Sequence, residues 1–174
     1  MNLGELRPAA DRWQLHFTRR LAHRPEKVWR AITEPEHLAA WFPTDIVGDR
    51  ATGATLQFVF RQNEGPTIEG AMLVYQPHSV LEMQWGDEET LRFELEPDGD
   101  GTVLTFINTF DALGKAARDA AGWHVCLDAL EANVDGRPAP GDTQTLWREV
   151  HGRYVEAFGP DAATIGPPPG SMQG

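Results

Sequence analysis

His124 and Asp128 in "WHVCLD" stand four residues apart. That spacing puts an imidazole and a carboxylate on one helical face, as a metal pair or a histidine with its orienting acid would need. No third ligand is identifiable, Trp123 and Leu127 claim the neighbouring face, and no His-Glu-x-x-His occurs. The pair is therefore expected on the surface or on a pocket rim. Cys126, on the apolar stripe of the same segment, reads as a small buried thiol, because neither a cation nor a helix N-terminus is at hand to lower its pKa. The two serines, Ser79 and Ser171, lie outside any Gly-x-Ser-x-Gly elbow. Lys27 and Lys115 both sit at helix starts and are expected exposed, which leaves no dry amine for a Schiff base. "DGDG" at 98–101 lacks the closing Glu of a calcium loop and is followed by a strand, so it is a hairpin turn and not a phosphate cradle. Glu69, Glu82 and Glu94 fall within strands, and the alternation turns Glu82 and Glu94 towards water. The residues assign no catalytic group, no metal and no cofactor.

What remains is aromatic and thioether surface. Trp41, Phe58, Met72, Met83, Trp85, Phe93, Phe106, Trp123 and Leu127 come from every element that should face one interior space. Small-molecule pockets are lined this way, with a few polar groups for orientation, and Arg61, His16 and Asn108 are candidates for those. A filled core would use the same side chains, so an open cavity and a packed one both fit.

The elements that must position these residues follow from periodicity. "WQLHFTRR" alternates Trp13, Leu15 and Phe17 with polar residues, a half-buried strand. Pro25 opens a helix whose Val28, Trp29 and Ile32 share a face, Pro35 stops it, and a second short helix over 35–40 ends at Trp41 and Phe42. Segments "TLQFVF", "TIEGAMLVY", "VLEMQW", "LRFELE" and "TVLTFINTF", separated by "NEGP", "QPHS", "GDEE" and "PDGDG", form an antiparallel meander. Residues 115–134 return to helical period, with Trp123, Cys126, Leu127, Leu130 and Val134 as the stripe. After a Pro/Gly linker, "TQTLWREVHGRYVEAFG" is a further helix with Leu146, Trp147, Val150, Tyr154 and Phe158 close to one side.

A one-sided sheet must cover its apolar face, and the helix at 115–134 is the element large enough to do so. The expected class is α+β: a curved antiparallel sheet wrapped around a long C-terminal helix, with two short helices after the first strand. The expected divisions are a domain over 1–136, a helical extension over 137–159 and a disordered tail over 160–174.

At 174 residues with 41% hydrophobic content, the chain suits one domain with a sizeable core. No apolar run is long enough to span a membrane, and "MNLGELRPAADRW" lacks a signal-peptide stretch, so a cytoplasmic location is the expectation. One cysteine cannot form an internal disulfide. A net charge of −11 argues against nucleic-acid binding. The charge is uneven: residues 1–30 hold seven Lys/Arg against three Asp/Glu, with Arg19, Arg20 and Arg24 the sharpest cluster. That cluster reads as solvated surface, the alternatives being contact with an acidic partner or with the protein's own acidic face.

The order of elements, with "HRPEKVWRAITEPEHLAAWFP" and "AGWHVCLDALEANVDGRP", resembles the START/Bet v 1-like (SRPBCC) superfamily, and within it bacterial proteins similar to the C-terminal domain of the activator of Hsp90 ATPase. The first motif matches a Pro-Glu-x-Val-Trp helix leading into Trp-Phe; the second matches the Gly-Trp that opens the long helix. The resemblance covers roughly residues 12–136. It implies a helix-grip fold, a cavity between sheet and long helix, frequently a homodimer, and a small hydrophobic or aromatic ligand. It also implies two other functions, a cyclase or hydrolase acting on a polyketide-like substrate and a chaperone or stress-response interaction module. The enzyme needs an ionisable residue inside the cavity. The module needs an exposed patch around Trp147, Tyr154 and the basic N-terminal segment. Trp41 and Phe42 are expected to form a lid over the cavity.

Overall fold

The computed structural model describes residues 2–166. Its framework is an eight-stranded antiparallel sheet in the order β1-β2-β8-β7-β6-β5-β4-β3. The strands are β1 (Glu5–Ala9), β2 (Arg12–Leu21), β3 (Thr44–Val47), β4 (Thr55–Phe60), β5 (Ile68–Gln76), β6 (Val80–Trp85), β7 (Glu89–Asp98) and β8 (Gly101–Phe110). Helices α1 (Pro25–Thr33) and α2 (Pro35–Trp41) follow β2, and α3 (Ala116–Val134) and α4 (Thr143–Phe158) close the chain. This is the α+β helix-grip arrangement that the order of elements predicts.

Local chemistry accounts for the boundaries. Pro25 and Pro35 occupy the first turns of α1 and α2, where a missing N–H costs nothing. Glu34 is extended and serves as C-cap of one helix and N-cap of the next. Asp142 caps α4 by accepting from the Thr145 N–H at 2.9 Å. The β7–β8 hairpin closes between the paired Asp98 and Gly101, with Gly99 at φ 59°.

Strand parity sets which side chains enter the core. Along β8 the residues Thr102, Leu104, Phe106, Asn108 and Phe110 are buried and their neighbours only partly so. Along β2 the buried set is Leu15, Phe17, Arg19 and Leu21. Arg19 and Asn108 thus enter the interior by register, an arginine and an amide on otherwise apolar faces.

Three elements lay outside the expectation, the short edge strand β3 (Thr44–Val47) among them. β1, an edge strand holding Pro8, is too polar to show an apolar face in the sequence. Residues Pro160–Ala163 form a short 3-10 helix with Ala162 buried, and the Ile165 N–H donates to Gly114 O at 3.0 Å. The expected disordered tail is therefore corrected for 160–165, which pack back on the turn at Leu113–Lys115; residues 167–174 lie outside the described residues. No helix among the described residues is long and apolar enough to cross a membrane.

Candidate functional site

The interior gripped between sheet and α3 is filled. Phe93 and Phe106 meet at 4.7 Å between ring centroids, Phe106 and Trp123 at 4.9 Å, and Trp41 and Phe93 at 5.9 Å. Phe42 stands in the middle, against Trp41, Phe58, Trp85 and Trp123. Trp41 also donates its indole N–H to Ala31 O at 2.8 Å. The pair Trp41 and Phe42 is therefore a plug and not a lid. Of the nine residues expected to line a cavity, Trp41, Phe58, Met72, Met83, Phe93, Phe106 and Leu127 are fully enclosed in this core.

The remaining two, Trp85 and Trp123, are only partly buried, and they line an open pocket of about 600 Å³ one layer further out. Its walls come from strand ends and both long helices. Phe60 closes β4, Ile68 opens β5 and Trp85 closes β6, so three strand ends converge there. Trp123 and partly buried Cys126 face it from α3, and Trp147 from the first turns of α4. Burial pushes the Cys126 thiol up to about 12, so it is protonated, as its place on the apolar stripe predicts.

One wall is charged. Glu89, Lys115, Arg118 and Asp119 all border the pocket. Lys115 Nζ lies 2.8 Å from Glu89 and 3.7 Å from Asp119, and Arg118 Nε donates to Asp119 Oδ1 at 2.9 Å. Burial pushes the Asp119 carboxyl above its ordinary range, against the pull of Arg118 and Lys115. Lys115, expected exposed at a helix start, is instead largely enclosed and paired. Of the proposed polar contacts, Asn108 reaches this wall, donating to Glu89 Oε1 at 3.1 Å. Arg61 instead ties the end of β4 to Asp45 and to the Thr44 carbonyl, and His16 sits on the outer face with Gln14.

His124 and Asp128 stand elsewhere. His124 is buried, not at a surface or rim: Nδ1 lies 2.8 Å from Tyr154 Oη and Nε2 lies 3.7 Å from Asp128 Oδ2. Asp128 in turn accepts from Arg19 Nη1 at 2.6 Å, and Glu131 accepts from the same group at 3.2 Å. Tyr154 Oη accepts from the Gly4 N–H at 2.8 Å. The carboxylate facing Nε2 favours the proton there, so Nδ1 accepts from the Tyr154 hydroxyl. This relay ties the N-terminal segment, β2, α3 and α4 together. Arg19 thus meets the protein's own acidic face. No group of three or more His, Cys, Asp or Glu able to hold a metal occurs among the described residues.

Burial holds the His124 imidazole below its ordinary 6.5, with Asp128 opposing and Arg19 assisting. An unfolded chain then takes up this proton first as pH falls, so stability is fully present above about 6.5 and declines as pH falls below it. His16 and His151, also lowered by burial, contribute with the same sign. Urea denaturation from about pH 8 to about pH 5 should show this loss, and His124→Gln should reduce the slope without abolishing it. An equal slope in the variant would remove His124 from the account.

The family described as activator of Hsp90 ATPase homolog 1-like protein matches residues 22–135. No curated protein matches the chain. Among solved structures, CalU16 from Micromonospora echinospora superposes with a TM-score of 0.70 at 22% identity, over 90% of this chain and 94% of that one. EF2215 from Enterococcus faecalis, a conserved protein of unknown function, gives 0.72 at 22% identity, over 89% and 90%. DynU16, from the dynemicin biosynthetic locus, gives 0.64 at 21%, over 77% of this chain and 51% of that one. At these identities the likeness concerns the fold.

Proposed function

The chain belongs to the activator of Hsp90 ATPase homolog 1-like family, and on that footing we propose that it binds a small, flat hydrophobic molecule in the pocket between the strand ends, α3 and α4. The carrying observation is the pocket itself. Its volume of about 600 Å³ falls within the roughly 300–1,000 Å³ usual for small-molecule sites, and it joins an aromatic floor to one charged wall. The aromatic packing between sheet and α3 supports it as a rigid base.

The charged wall meets the condition for an enzyme, an ionisable group in the pocket. Its carboxylates, however, hold cations of the protein itself, an arrangement suited to recognition more than to proton transfer. The patch around Trp147, Tyr154 and the basic N-terminal segment has less support: Arg20 and Arg24 are exposed, but Tyr154 is buried and Trp147 faces the pocket.

Titration of the protein with 2-naphthamide should quench the fluorescence of the pocket tryptophans saturably. Trp147→Ala, which removes one aromatic wall, should weaken that binding roughly tenfold. A wild-type protein that binds nothing, or a variant that binds equally well, overturns this reading.

A further inference from the structure

The charged wall is unequal in a way that bears on what it recognises. Each oxygen of its two carboxylates already faces a donor. Glu89 Oε1 accepts from Asn108 and Glu89 Oε2 from Lys115, while Asp119 Oδ1 accepts from Arg118 and Asp119 Oδ2 faces Lys115 at 3.7 Å. The cations are not used up. Of the five guanidinium N–H groups of Arg118, only the one on Nε has a partner among the described residues. Lys115 has three N–H groups and two carboxylate neighbours. The cations thus have several donors to spare, while of the four carboxylate oxygens only Asp119 Oδ2, too far from Lys115 for a hydrogen bond, is without a hydrogen-bond partner among the described residues. A ligand completes it by bringing acceptors, and a negative charge is favoured over a positive one.

We propose that the pocket takes an aromatic acid, with its rings on Trp85, Trp123 and Trp147 and its anionic group on Arg118 and Lys115. This rests on the pocket being a ligand site and specifies the ligand class. The anion meets Arg118 beside Asp119, a carboxyl that burial already inclines towards its neutral form. The selection is local, because the chain as a whole carries −11 and repels anions at long range.

The test compares 2-naphthoic acid with 2-naphthamide, which share the ring system and differ in charge. The acid should bind roughly tenfold or more tightly at low salt, as one charge-assisted contact provides. Arg118→Gln should remove most of the acid's advantage over the amide. In the wild-type protein the advantage should also shrink at about 0.5 M salt. Equal binding of the two compounds overturns the acid assignment and leaves the pocket standing. Binding of neither overturns the pocket, and this inference with it. An advantage that survives both Arg118→Gln and salt places the anion elsewhere and overturns the assignment to this wall. If Arg118→Gln does not fold, the salt series alone decides.

Discussion

Tyr154→Ala is expected to lower the free energy of unfolding by about 3–5 kcal/mol. The ring is completely buried, edge-on to Phe17 at 6.5 Å and to His124 at 5.7 Å, and tilted against Phe158 at 5.2 Å. Deleting it opens a cavity at the point where the N-terminal segment, α3 and α4 meet. Its hydroxyl adds a separable part. Burial pushes that hydroxyl up to about 12, so it remains a neutral donor across the accessible pH range. Tyr154→Phe keeps the ring and strands two buried partners, the Gly4 N–H and His124 Nδ1, which should cost about 1–3 kcal/mol. Chemical denaturation of the two variants side by side separates packing from hydrogen bonding. Because α4 carries Trp147 into the pocket, Tyr154→Ala should also weaken ligand binding from a position that does not line it. Equal stability of the Ala variant and the wild-type protein would show that α4 is a dispensable extension.

That outcome bears on what the sequence makes legible. The period of "TLWREVHGRYVEAF" marks Tyr154 as facing inward, and nothing in it marks the partners, which lie 30 residues away on α3 and 150 away at Gly4. Parity was the stronger signal for the polar interior. Trp13, Leu15 and Phe17 alternate in a way that carries Arg19 inward, and Phe106 and Phe110 carry Asn108 with them; a polar residue on an apolar face is evidence of a built contact. Reading the basic end as solvated surface holds for Arg20 and Arg24, which are exposed, and set that parity aside only at Arg19.

The pocket was less accessible to periodicity. The side chains that face the gripped space are the ones expected, and most of them fill it. Whether side chains fill the space they enclose depends on volumes and on close approaches between backbones. The real opening arises where Phe60, Ile68 and Trp85 end or begin strands and Trp147 arrives from a helix after the linker. Lys115 is enclosed near it in a turn onto which residues 160–165 fold back, and no local pattern announces that return.

The close approaches can be tested directly at Gly70. A Cβ at this position would lie 2.0 Å from the Gln84 carbonyl oxygen and 2.7 Å from Phe58 Cε2, so backbone as well as a buried ring must move. Gly70 pairs with Trp85 across β5 and β6, just before a register shift between Met72 and Val74, and the strands there are too close for any side chain. Gly70→Ala should therefore cost about 2–4 kcal/mol. Gly152→Ala, where the added Cβ meets nothing within 4 Å on a helix, should be neutral or slightly stabilising. The effect at Gly70 should reach the site as well. Phe58 and Trp85 meet in a tilted contact at 4.6 Å between centroids, so displacing the Phe58 ring and β6 spreads the pocket floor. Tryptophan emission should shift and 2-naphthamide should bind more weakly, although no pocket-lining residue has been replaced. A Gly70→Ala protein with unchanged stability and unchanged affinity would mean that the β5–β6 hairpin has slack to absorb a methyl group, and that Trp85 is not held where the pocket requires it.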